Sequence, residues 1–179
     1  MRTTDLALDA LGRVHKLIPA TLADLSADDL RWRPDPGSNP IGWLVWHLLR
    51  VEDDHVAGLT AVDQVWASGW SERFDLPYKP NAFGYGMSPD DVRAFTVTGQ
   101  EVLVEYADAV WQQTRRILGG LTDDDYDRVV DRNWDPPVTV GVRLVSVISD
   151  TTQHIGQVGY VRGLRDRSKG TDSRWKGYA

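Results

Sequence analysis

The chain has no cysteine. That excludes a disulfide scaffold, thiolate zinc and iron–sulfur sites, and a cysteine nucleophile. Long apolar runs are also missing. The longest stretches, such as residues 41–49, fall far short of the roughly 20 residues that cross a bilayer, and no signal-peptide pattern opens the chain. The expectation is a soluble, cytoplasmic protein. Lysine is scarce, four against sixteen arginines, and acids outnumber bases 26 to 20 for a net charge of −6. Such a balance makes a poor partner for DNA or for an anionic membrane, so neither is expected. There is no Gly-x-Gly-x-x-Gly strand–helix unit, no Walker sequence and no Gly-x-Ser-x-Gly elbow. Gly84-Tyr85-Gly86 is too short to signal phosphate binding and reads as a turn.

The 179 residues suit one domain, and 41% apolar with 26% charged residues excludes a disordered chain. A chain of this length buries about 70% of its unfolded surface and needs no metal merely to fold. Eight tryptophans is a high count, and each needs a partner for its N–H when buried.

Apolar residues at helical spacing predict a helix from Thr4 to about Leu25, kinked or ended by Pro19. Ser26-Ala27-Asp28-Asp29 resembles the start of a short helical turn. Residues 33–40 are dense in breakers. A second helix is predicted from Asn39 as cap, with Pro40 as its first residue, to about Gly58. Residues 66–87 read as a long aromatic loop packed on the body, of the kind that carries function. Ser88-Pro89 starts a third helix reaching Leu118, with a break possible at Thr98–Glu101. The last predicted helix runs from Thr139 to Gly163, with Val142, Val145, Ile148, Ile155 and Val158 on one side. The expectation is an all-α antiparallel four-helix bundle over residues 1–164, with a long connection between helices two and three. A polar tail, residues 165–179, follows it.

Only four histidines are present. His154 follows Asp150 by four residues, which puts both on one helix face. Alone this pair reads first as a surface ion pair. But Asp150 and His154 sit among Val147, Ile148, Ile155 and Val158, and His47 sits within Trp43–Leu49. Polar groups in such surroundings need partners. Together His47, Asp150 and His154 form a three-ligand set for a divalent metal, with one position open as in catalytic sites. Asp54 is too far along its helix to share that metal with His47, so Asp54 and His55 are candidates for supporting the ligands or meeting substrate. Arg50 is a candidate for an anionic substrate, against the blander reading of a salt bridge with Glu52 or another acid. His15 reads as a packing or surface residue.

Residues 39–48, Asn-Pro-Ile-Gly-Trp-Leu-Val-Trp-His-Leu, and residues 150–157, Asp-Thr-Thr-Gln-His-Ile-Gly-Gln, resemble the DinB/YfiT-like metal-binding four-helix superfamily. The resemblance covers nearly the whole chain. It implies a four-helix bundle, often a homodimer, holding a divalent metal, with zinc and nickel as candidates. His47 matches the first ligand of that family and His154 its last. Asp150 stands where many relatives carry His and others, including mycothiol-dependent maleylpyruvate isomerases, carry Glu. The activities implied are thiol chemistry with mycothiol or bacillithiol as cofactor, which suits a cysteine-free chain. A small-molecule thiol S-transferase is therefore the leading expectation. A metal-dependent hydrolase, with Asp54 or His55 as base, and a non-catalytic metal- or ligand-binding stress-response protein are the alternatives.

Overall fold

The computed structural model describes residues 2–171. Among the described residues, seven α-helices and one small hairpin dominate the fold: α1 (Thr3–Leu22), α2 (Ala27–Arg31), α3 (Ile41–Gly58), α4 (Trp70–Phe74), α5 (Pro89–Arg93), α6 (Gln100–Gly119), β1 (Val129–Asp131), β2 (Val138–Thr139) and α7 (Val140–Ser168). The four long helices, α1, α3, α6 and α7, form the all-α bundle. α3 packs on α6 and α7, and α1 packs on the same two.

Side-chain capping fixes several starts. Ser26 caps α2 and Ser88 caps α5, each in a reciprocal box with the Asp three residues on. Thr139 caps α7 by accepting from the Val142 N–H. Pro19 does not end α1, which runs on to Leu22. Residues 94–99 separate α5 from α6, so the break expected near Thr98 is present. β1 pairs with β2 antiparallel, Val129 opposite Thr139. Sequence periodicity does not reveal this pairing, because strands this short show no alternation.

Helix directions explain the long middle connection. One core cluster gathers the start of α1 (Ala7, Leu11), the end of α3 (Val56), the end of α6 (Ile117, Leu118) and the start of α7 (Val140, Leu144). The other gathers the opposite ends, including Ile18, Leu44, Leu103 and Val158. So α3 and α6 run the same way, and the chain from Leu59 to Gly99 must climb back along the bundle. It does so beside α6. Gln113 donates to the Asp63 carbonyl at 3.0 Å and Arg73 pairs with Glu105 at 2.7 Å. Phe74 then meets Tyr106 edge-on.

Two expectations about α7 are corrected. Its buried face is Val140, Leu144, Val147, Thr151, Ile155, Val158 and Val161, whereas Val142 and Val145 are exposed at 52% and 67%. The helix also continues past Gly163 and Leu164 to Ser168, so the polar tail does not begin at Arg165. Arg165 reaches across to α2, with Nη2 2.6 Å and Nε 3.1 Å from the Asp29 carboxylate, and Lys169 adds a third contact. That clamp holds the last turn on the body. The remainder of the expected tail, residues 172–179, lies outside the described residues.

Burial opposes ionisation of Asp29, but Arg165, Lys169 and Ser26 outweigh it and hold its carboxyl far below the usual range. A depressed carboxylate stabilises the fold above its unfolded pKa of about 3.9 and loses that contribution as pH falls. Asp29→Asn is expected to cost about 2 kcal/mol at neutral pH. It is also expected to flatten the acid limb of the stability curve below about pH 4, read by urea melts across pH.

Candidate metal centre

The seam between α3 and α7 brings together three of the residues singled out from sequence. One donor atom each from His47, Asp150 and His154 lies within 4.8 Å of the others. The imidazoles of His47 and His154 meet edge to face, centroids 4.7 Å apart. His154 Nε2 stands 3.6 Å from Asp150 Oδ2, one helical turn away.

Both rings are oriented through their other nitrogen. His47 Nδ1 donates to the carbonyl of Phe83, and His154 Nδ1 donates to Gln157 Oε1 at 2.8 Å. Such contacts fix the tautomer and leave both Nε2 atoms as lone-pair donors, the arrangement that metal-ligating histidines adopt. Trp43 stacks on His47, centroids 4.8 Å apart and 20° from parallel, and limits its rotation.

The donor set and its surroundings fit a divalent ion. Asp150 Oδ1 is buried with no hydrogen-bond partner, a costly state that an ion relieves. Two imidazole nitrogens and a carboxylate suit zinc-like metals, whose bonds are about 2.0–2.2 Å, after small side-chain adjustments. The electrostatics agree at two of the three groups. Burial holds the His47 imidazole below its ordinary pKa, against the pull of the Phe83 carbonyl. Burial opposes ionisation of Asp150, but His154, His47 and His55 outweigh it and lower its pKa. His154 is the opposite case, raised by Asp150 and Gln157 despite burial.

The long connector closes the site. Arg50 Nε donates to the Ala82 carbonyl at 3.2 Å, one residue before Phe83. Gly84 then passes so close that a Cβ there would come 2.3 Å from His47 Nδ1, on a backbone at φ +101°. Only glycine fits both the turn and the approach. Gly84→Ala is expected to lift the connector from His47 and weaken zinc binding about 10- to 100-fold, measured by competition with a chromophoric chelator. The sequence marked Gly84 as a turn, but no residue pattern reveals that a backbone carbonyl will orient a histidine.

Other expected site residues fall elsewhere. Arg50, the candidate for an anionic substrate, is fully buried and its side chain is engaged by protein groups. Its guanidinium lies over Trp66 and reaches Asp53, Gln64 and Tyr106. Its acid is Asp53, not Glu52. Glu52 instead accepts from His15 Nε2 at 2.9 Å and from Thr114 at 2.7 Å, so His15 is a buried packing residue joining α1 to α3 and α6. Asp54 and His55 bond to each other at 2.9 Å further along α3 and do not join the trio.

The comparisons with known proteins agree with this architecture. The sequence profile of the DinB superfamily matches residues 10–158. A crystal structure of a conserved protein from Enterococcus faecalis superposes with a TM-score of 0.85 at 32% identity, covering 92% of this chain and 97% of that one. Among curated proteins none matches. No helix among the described residues is long and apolar enough to cross a membrane. The ordered bundle, the ligand trio and these matches lead to one assignment: the chain belongs to the DinB superfamily.

Proposed function

We propose that the protein is a metal-dependent enzyme that uses zinc or nickel to activate a low-molecular-weight thiol for S-transfer to a small electrophile. The observation that carries this reading is the trio of His47, Asp150 and His154, with its buried, unpartnered carboxylate oxygen. Three protein ligands leave a position for an incoming group. When bound, the ion lowers the pKa of a thiol or water at that position. The chain's own part is to hold the two Nε2 atoms in place through Phe83 and Gln157 and to brace the His47 ring with Trp43. The absence of cysteine means that a reacting thiol has to come from solution.

Metal-loaded protein incubated with mycothiol or bacillithiol and a panel of electrophiles is expected to form thioether product, and His154→Ala is expected to form none. Product release without any thiol would favour the hydrolase reading, which uses the same three side chains. Tight metal uptake with no turnover under either condition would favour a binding role.

A further inference from the structure

The outer face of α7 carries no charge over most of its length. From Val142 to Tyr160 every exposed side chain of this helix is uncharged, in a chain where charged residues make up 26%. A solvated helix face ordinarily carries charged residues. The two charged side chains within the stretch, Arg143 and Asp150, turn to partners at its flank, Asp131 and His154. At one end of the face Val142 and Val145 join Leu6 of α1, itself 60% exposed, around a groove of about 530 Å³. At the other end stands Tyr160, 67% exposed.

The two ends match in position. Val142 and Tyr160 are eighteen residues apart, which is five helical turns, so they lie on one line about 27 Å long. Between them the line passes Ser149 and Gly156, whose small size lets a second backbone come close. Reversing the helix about the midpoint of that line, at the height of Thr151, brings Tyr160 onto Val142. The face is therefore complementary to itself, with a knob at one end and a groove at the other. The chemistry matches too. Among the described residues, Asp127 is the one charged side chain in the groove lining, and Leu6, Leu144 and Ile148 give it apolar walls. Tyrosine brings an apolar ring for such walls and an O–H that can donate to a carboxylate.

We infer that a second copy of this chain docks on this face, with the two α7 helices antiparallel about a two-fold axis and Tyr160 of the partner subunit in the groove. Such a contact is isologous, so each copy supplies one knob and one groove. Charge points to the same place. Two chains of net charge −6 repel each other, and an uncharged face is where they approach at least cost. Asp150 and His154 meet His47 on the α3 flank rather than this face, so the inference does not rest on the function proposed above.

Sedimentation velocity over a range of protein concentrations tests it. The wild type is expected at twice the mass of one chain. A Cβ at Gly156 meets nothing within 4 Å, so Gly156→Arg is expected to leave the circular dichroism spectrum unchanged. It sets a charged side chain from each copy into the contact, and the dissociation constant is expected to rise at least about 100-fold. Tyr160→Ala is expected to raise it at least about tenfold. Val62→Glu, at an exposed apolar residue outside α7, is expected to leave the dimer intact, as is His47→Ala. The absence of cysteine allows a check of geometry. Ser149→Cys lies near the axis and is expected to cross-link to its mate through a short bismaleimide. Val142→Cys, about 27 Å from its mate, is not. A monomer at all concentrations, a dimer unmoved by Gly156→Arg, or cross-linking of Val142→Cys as readily as Ser149→Cys would each overturn the inference. A monomer that takes up a hydrophobic dye, with uptake lost in Val145→Glu, would assign the face to a different apolar partner instead.

Discussion

His47→Ala is expected to lower divalent-metal affinity by at least about 100-fold, more than the loss of an outer partner causes. Among the described residues His47 belongs to a candidate set of three donors, and the other two both lie on α7. Without it, α7 alone must hold the ion through Asp150 and His154, with no ligand from α3 to close the site. Elemental analysis after equilibration with zinc, together with a chelator competition, measures the change. His15→Gln is the matched control, since it removes a buried imidazole from the bundle but not from the cluster. Equal zinc content in His47→Ala and wild type would remove the metal centre, and the proposed function with it. Asp150→Glu is expected to retain most of the affinity because the carboxylate remains. Asp150→Asn is expected to lose it, since the neutral amide cannot offset the charge of the ion.

The convergence of His47, Asp150 and His154 was legible in the sequence for a physical reason. Two imidazoles and a carboxylate lie within otherwise apolar helical segments, and such groups must find partners. The supporting contacts were not legible. Phe83 acts through its backbone carbonyl, which any residue possesses, and Gln157 is polar among other polar residues. Arg50 shows the limit from the other side: its place three residues after His47 does not reveal that the connector folds over it and makes it the centre of a buried network.

The fold was legible to a similar depth. The capping serines Ser26 and Ser88 located helix starts because their signal is local. The inward face of α7 was misjudged because valine, leucine or isoleucine occupies six of the positions 140–148, on several faces of the helix. Periodicity then cannot choose, and contacts with α1 and α3 decide. The length of the middle connection was visible, but its purpose was not. Only the shared direction of α3 and α6, set by the two core clusters, requires the chain to return along the bundle.

That return depends on Asp53, and Asp53→Ala is the substitution expected to destabilise the chain most, by about 3–5 kcal/mol. Its carboxylate accepts from the Val65 and Trp66 N–H groups, both at 2.8 Å, where the connector leaves α3. It also accepts from the Tyr106 hydroxyl at 2.7 Å and from Arg50 at 3.3 Å. Burial pushes the Asp53 carboxyl above its ordinary pKa even against these four contacts, so its neighbourhood is dry. Alanine leaves two backbone donors and a fully buried guanidinium without their acid, the situation in which loss of one partner costs most. Because Arg50 also holds the Ala82 carbonyl next to Phe83, the damage is expected to reach His47. Urea melts measure the stability loss, and zinc competition under conditions where the variant is still folded measures the second effect. A stability loss with unchanged zinc affinity would show that the connector positions His47 without help from this network. Loss of both places the orientation of a metal ligand under the control of a carboxylate nearly two helical turns away.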